Sequence, residues 1–274
     1  MKPAPFSYMR PDSVDEAIAV LAEHEHDARV LAGGQSLIAM LNLRLVEPRI
    51  LLDISRLHEL RAIRLHDGMI EVGAAVTQAE FLAWPMLEAQ APFIARALAW
   101  VGHFQTRNRG TVCGSICHAD PSSELPLSLA LLQGEVVLRS RRGERTLKAA
   151  SFLTGMLQTA RRDDELVTAV RFPAGIGRGA SAFREVARRH GDFAIVSVGV
   201  VGIDATRLRI GVGGVADRPA TVEIGRHLPQ GELRDHIEHL AWSLGGSDDI
   251  HASARYRRDL VRRLTPSLVA EVNL

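Results

Sequence analysis

Cysteine is nearly missing from this chain: Cys113 and Cys117 are the only two in 274 residues. Two thiols are too few for a disulfide framework and fit a reducing compartment. They also exclude an iron–sulfur cluster held by this chain alone, because such clusters take about four cysteine ligands. A charge excess of one sign is missing too. The net charge is +1, far from the basic balance of a nucleic-acid binder, so nucleic acid is not an expected partner. Paired arginines at 141–142, 161–162, 188–189, 257–258 and 262–263 are scattered and read as solvated faces, with a subunit interface the minority reading for the last two pairs. No apolar run approaches the roughly 20 residues needed to span a bilayer. The opening MKPAPFSYMRP has neither the apolar segment nor the cleavage site of a secretory signal. The expectation is a soluble, cytoplasmic protein with no transmembrane segment.

What is present is a globular composition, 46% hydrophobic and 24% charged, in a chain long enough for two or three packed units. Val14, Ala17, Ile18 and Leu21 fall at helical spacing behind Ser13, a candidate N-cap. A strand at 28–31 runs into Gly33-Gly34 and a helix at 36–45, and a second strand at 50–54 closes a βαβ-like unit. The pattern then changes: apolar runs at 60–65 and 69–74 flank Asp67-Gly68, a strong hairpin signal. Helices are expected at 77–83, 87–100 and 123–132, a hairpin at 135–147 and a strand at 166–172, with 110–115 read as a glycine-containing loop. Glycine-rich 174–179 is the best boundary for a last unit, with strands at 182–188, 194–203 and 207–213 ahead of helices at 231–244 and 252–263. The layout is α+β, divided as 1–58, 59–176 and 177–274.

Two segments carry chemistry. In Leu31-Ala32-Gly33-Gly34-Gln35-Ser36, placed between strand and helix, glycine tolerates positive φ and lets successive backbone N–H groups converge on an anion, with the Ser36 hydroxyl as a further donor. Alone, Gly-Gly before a helix is more often a tight turn, and it is neither a Walker loop nor a G-x-G-x-x-G fingerprint. The second segment, QTRNRGTVCGSICHADPSSELP at 105–126, offers Gly110, Thr111, Gly114 and Ser115. Two such loops could clamp a dinucleotide, and Glu124 could bond a ribose or ribityl hydroxyl as carboxylates do in other nucleotide sites. Asp120 competes for that role, although a turn or cap role suits it as well. Cys113, Cys117 and His118 read as buried thiols beside an imidazole rather than a metal site. His24, His26 and Asp27 read as a solvated turn, His103 as a helix-end group, and Trp84, Trp100 and Phe104 as core aromatics.

AGGQSL at 32–37, LRL at 43–45 followed by Pro48, QTRNRGTVCGS at 105–115, HADPSSELP at 118–126 and GDFAIV at 191–196 together resemble the medium, FAD-binding subunit of the xanthine and carbon monoxide dehydrogenase family of molybdenum hydroxylases. The order and spacing match over nearly the whole chain. The resemblance implies a two-subdomain FAD-binding fold of the vanillyl-alcohol oxidase (PCMH) type plus a C-terminal α+β domain. It implies a pyrophosphate cradle from Leu31, Ala32, Gly33, Gly34, Gln35 and Ser36, and a second from Gly110, Thr111, Gly114 and Ser115. Val101 and Gly102 would line the cofactor, Glu124 would take a polar hydroxyl, Val167 and Arg184 would lie nearer the flavin ring, and Phe193 beside it. The sequence departs from the family at Cys113, where a glycine is usual, and at Ser115, where asparagine is common. No triad or general base is evident, consistent with an electron-transfer role and no catalytic residue. The resemblance further implies FAD in this chain, a molybdenum cofactor and two 2Fe–2S clusters on partner subunits, and a small iron–sulfur and a large molybdenum subunit assembled as a dimer of heterotrimers. The alternative is a stand-alone FAD-dependent oxidoreductase on the same fold.

Overall fold

The computed structural model describes residues 2–274. The first unit comprises β1 (Ser7–Met9), α1 (Val14–His24), β2 (Ala28–Leu31), α2 (Leu37–Asn42) and β3 (Ile50–Asp53). Ser13 caps α1 by accepting from the Glu16 N–H at 3.1 Å. The sheet order is β1-β3-β2, and all pairing is parallel, so α2 is the crossover that parallel neighbours require. Ile50, Leu51 and Leu52 are buried because the central strand is covered on both faces.

The second unit runs through β4 (Ile63–His66), β5 (Met69–Gly73), α3 (Gln78–Leu82), α4 (Leu87–Gln90), α5 (Pro92–Leu98), α6 (Phe104–Arg109), α7 (Val112–His118) and α8 (Glu124–Leu131). It continues with β6 (Glu135–Ser140), β7 (Gly143–Lys148), α9 (Ala149–Phe152), β8 (Leu153–Gly155), β9 (Gln158–Thr159) and β10 (Leu166–Pro173). Five strands form an antiparallel sheet in the order β4-β5-β10-β6-β7. Asp67 and Gly68 both take positive φ, 50° and 71°, the backbone of a two-residue turn whose twist suits the strands. The helix expected over 87–100 is broken, because Pro92 disfavours helical backbone at Ala91 (φ −146°) and starts a new helix itself.

The last unit is β11 (Ser181–Val186), β12 (Val196–Gly202), β13 (Arg207–Gly213), β14 (Ala220–Gly225), α10 (Gln230–Ser243) and α11 (Ala254–Val272). Its antiparallel sheet follows chain order. Every residue of β12 is buried. Val196, Val198 and Val200 join one core with Val261, Leu268 and Val269 of α11, while the opposite face meets the second unit. There Gly199, Gly211 and Gly213 make room for Phe93 of α5 and Leu127 and Leu131 of α8: a Cβ on Gly199 would stand 2.5 Å from the Phe93 ring. The last helix runs past the expected 263 to Val272, with Pro266 in its interior.

Candidate functional site

Two loops from different units meet at backbone distance. A Cβ on Gly33 would lie 2.1 Å from the Arg109 carbonyl oxygen and 2.7 Å from Gly110 Cα, so only glycine permits this approach. Gly34 takes φ +73°, which turns the chain from β2 toward α2. The N–H groups of residues 32–36 donate to no acceptor among the described residues. Partly exposed along this turn, five successive free N–H groups are a donor set of the kind that can converge on an anion.

The second loop is more ordered than a glycine-rich reading suggests. Thr111 caps α7, its Oγ1 accepting from the Gly114 N–H at 3.0 Å. A Cβ on Gly114 would crowd that oxygen at 2.7 Å. Cys113 sits within the helix, is absent from the positive-φ positions, and lends its thiol to Val72 O at 3.4 Å. The side chain at this departure from the family pattern is therefore accommodated. Thr77 and Thr111 form an isolated bridge, and Gln78 N–H donates to Gly110 O at 2.8 Å, so α3 and this loop are fixed together. Arg107 donates to the carbonyls of Val101 and Gly102 at 2.7 and 3.1 Å, which ties the end of α5 to α6.

Between the loops lies a cavity of about 890 Å³, inside the range of cofactor sites. It brings together Ala32, Gly33, Gly34, Gln35, Ser36, Val101, Gly102, Gly110, Thr111, Gly114, Ser115, Glu124, Val167 and Phe193. Leu31 lines a smaller adjoining cavity of about 470 Å³, which shares residues 32–35 with the large one. Phe193 is 71% exposed on a loop held by Gly191, whose φ of +88° and missing Cβ leave room for the His103 ring.

Arg184 is the exception. Alternation along β11 turns Phe183 toward Phe93 and Trp100 and Arg184 the opposite way, where it pairs with Glu271 of α11 at 3.1 Å. It is not among the residues that line the cavity.

Gln78, which sequence reasoning missed, lines the cavity while 4% exposed, and its Oε1 has no hydrogen-bond partner. A buried orphan amide at a cavity wall is costly unless a ligand completes it. Burial pushes the Glu124 carboxyl up to about 7, with Asp120 adding to the rise and Arg107 opposing it. Burial likewise raises both thiols, Cys117 to about 11, which leaves them protonated and unreactive. Trp100 packs edge-on against His190 at 5.4 Å, and Trp84 stacks with Phe81. No helix of the described residues is long and apolar enough to cross a membrane.

Comparison with known proteins gives two family matches: the FAD binding domain in molybdopterin dehydrogenase over residues 4–175 and the CO dehydrogenase flavoprotein C-terminal domain over 181–272. The chain is 34% identical over 281 residues to caffeine dehydrogenase subunit beta of Pseudomonas sp. (strain CBB1), covering 98% of this chain and 95% of that one. It is 34% identical over 230 residues to the carbon monoxide dehydrogenase medium chain of Hydrogenophaga pseudoflava, covering 82% and 80%. Among solved structures, quinoline 2-oxidoreductase from Pseudomonas putida 86 superimposes with a TM-score of 0.92 at 32% identity, covering 100% of this chain and 98% of that one.

Proposed function

The chain belongs to the family of medium, FAD-binding subunits of the molybdenum hydroxylases, and from that premise we propose that it holds FAD in the large cavity and serves as the electron outlet of a multi-subunit oxidoreductase. The observation that carries the reading is that residues 32–36 line that cavity and that their N–H groups have no protein acceptor. Such a row suits a pyrophosphate, which has no proton to offer and needs donors.

In this reading the N–H groups of residues 32–36 and the Ser36 hydroxyl hold the phosphates from one side. The second loop, Gly110, Thr111, Gly114 and Ser115, closes from the other. Because Gly114 N–H is spent on the Thr111 cap, that loop contributes through the N–H groups of Thr111 and Cys113, which have no protein acceptor, and through the Ser115 hydroxyl. Glu124 bonds a sugar-chain hydroxyl, Gln78 completes its amide on the cofactor, Val101, Gly102 and Val167 line the ring end, and Phe193 covers it. Bound FAD supplies reversible one- and two-electron chemistry, while the protein binds it, orients it and excludes water.

The electrons come from two 2Fe–2S clusters of a small partner subunit and originate at a molybdenum cofactor on a large one. Two free cysteines in this chain and relatives named as subunits or chains of dehydrogenases support that division of labour. The complex is a cytoplasmic dimer of heterotrimers, with this chain working as units 1–58, 59–176 and 177–274. Expressing the chain, releasing its chromophore by denaturation and identifying it by absorbance and chromatography tests the cofactor assignment. Stoichiometric FAD is expected, and a colourless protein that refuses added FAD would sink the reading.

A further inference from the structure

The cofactor reading leaves the smaller cavity of about 470 Å³ without an occupant. The large cavity takes its walls from all three units, from Arg29 and Met40 through Gln78 to Phe193 and His251. That span suits a whole dinucleotide and leaves the smaller cavity to another ligand. Residues 32–35 wall both, but Ile38, Asn42, Asp53, Ser55 and Arg109 line the smaller one alone. Gln35, Ile38 and Arg109 are exposed, so it opens to solvent.

Its place follows from the first sheet. Leu31 and Asp53 are the last residues of β2 and β3, they are partners across the parallel ladder, and both line the cavity. The cavity therefore lies outside the carboxyl ends of two parallel strands, where sheets with crossover helices bind ligands. Asp53 also follows the Gly33–Gly34 turn by about 20 residues, the separation at which a strand, glycine turn, helix and second strand set a carboxylate against ribose hydroxyls. One Asp53 oxygen accepts from the Tyr8 hydroxyl and the other from the Ser55 N–H at 2.8 Å. Burial alone would raise this carboxyl, but those two bonds outweigh it and hold it below its ordinary value. A carboxylate has about four acceptor positions, so roughly two are left for a ligand. Arg109, at the end of α6, brings a guanidinium to the same cavity and pairs with no acid among the described residues. Leu31, Ile38 and Ala39 add an apolar wall on which a base can lie.

We propose that the smaller cavity is a second nucleotide site, distinct from the FAD cavity, which takes a mononucleotide: Asp53 accepts from the ribose hydroxyls and Arg109 holds the phosphate. The two charges sit on one cavity wall without pairing to each other, so each is free for the complementary end of such a ligand. A planar guanidinium suits a phosphate because it can donate two parallel hydrogen bonds to it. The site is exchangeable, since its mouth is open, whereas the large cavity draws on three units to enclose its ligand.

The test titrates adenosine 5′-monophosphate into the FAD-loaded full chain by calorimetry and follows any released flavin by its fluorescence. One nucleotide is expected to bind per chain with FAD retained. The 2′,3′-dideoxy nucleotide should bind about tenfold more weakly or worse, because it takes both hydroxyl donors from Asp53. Asp53→Asn should shrink that discrimination. Arg109→Met, which keeps the backbone carbonyl that meets Gly33, should weaken the nucleotide about tenfold and leave phosphate-free adenosine unchanged. Should Asp53→Asn fail to fold, the comparison of the two nucleotides on wild type decides alone. Equal affinity for both nucleotides overturns the proposal, and so does the absence of binding. A nucleotide that expels FAD one for one assigns the smaller cavity to the cofactor and overturns the proposal too. If the chain holds no FAD, the same titration is made on the flavin-free chain: hydroxyl-dependent binding keeps this proposal while the cofactor reading falls.

Discussion

Gly33 and Gln78 show what single residues contribute to the cavity, and they act in opposite ways on the empty protein. Gly33 is where the loops touch, and an added methyl would lie 2.1 Å from the Arg109 carbonyl oxygen. Backbone cannot yield as a side-chain tip does, so Gly33→Ala should cost about 1–3 kcal/mol of stability and separate the loops enough to strip the protein of flavin. Thermal denaturation and the absorbance of the purified chain read the two effects. Gln78→Met removes a buried amide whose Oε1 has no partner. The flavin-free chain should melt at the same temperature or higher, while FAD affinity falls roughly fivefold, about 1 kcal/mol for a lost hydrogen bond. The first residue was legible in the sequence, because Gly-Gly between strand and helix announces itself. Gln78 was not: it lies in an ordinary first turn of α3, and only the non-local Thr77–Thr111 bridge brings it to the second loop.

At the level of elements, helices and strands with clear periodicity were legible, and those defined by partners were not. The span 28–31 reads correctly as β2 from its own residues, whereas α7 hides in a glycine-rich stretch because its start depends on the Thr111 cap. The face that Arg184 presents has a related cause: a motif fixes its position on β11, while its pairing with Glu271 of α11 depends on the packing of the last helix. A buried ion pair shows how elements are joined. Glu165, 2% exposed, takes both oxygens to Arg145 of β7 at 2.7 Å each and accepts from the Arg162 N–H at 2.8 Å. Burial alone would raise this carboxyl, but Arg145 and the Arg162 amide outweigh it and leave it below its ordinary value. Arg145→Met strands the charge and should cost about 3 kcal/mol at neutral pH, the low end for breaking a buried pair. A depressed carboxyl stabilises above its ordinary value and loses that contribution as pH falls through its folded value. The gap between wild type and variant in urea unfolding should therefore narrow below pH 4.5.

Over the whole molecule, the glycine-lined junction between the C-terminal sheet and the second unit decides whether the chain behaves as one body. Gly199→Val would drive a branched side chain into Phe93, whose ring carbons stand 2.5 and 2.6 Å from the added Cβ. The expected result is two calorimetric transitions in place of one, with flavin lost because Glu124 and Phe193 reach the cavity from opposite sides of this junction. The junction also sets the pH response of the flavin-free chain. Glu124 and Glu185 are raised from 4.5 to about 7 and about 8, so between those limits the unfolded chain holds fewer protons than the folded one. Stability must then fall as pH rises, by at most about 1.4 kcal/mol per pH unit for each group. The contribution is fully present below pH 4.5 and lost as pH passes through about 7 and about 8. Denaturant midpoints measured across that window should decline for wild type, and the double variant Glu124→Gln with Glu185→Gln should flatten the decline. A wild-type midpoint that rises from pH 4.5 to 8 would mean that the two acids ionise freely and that the junction is wetter than its burial indicates.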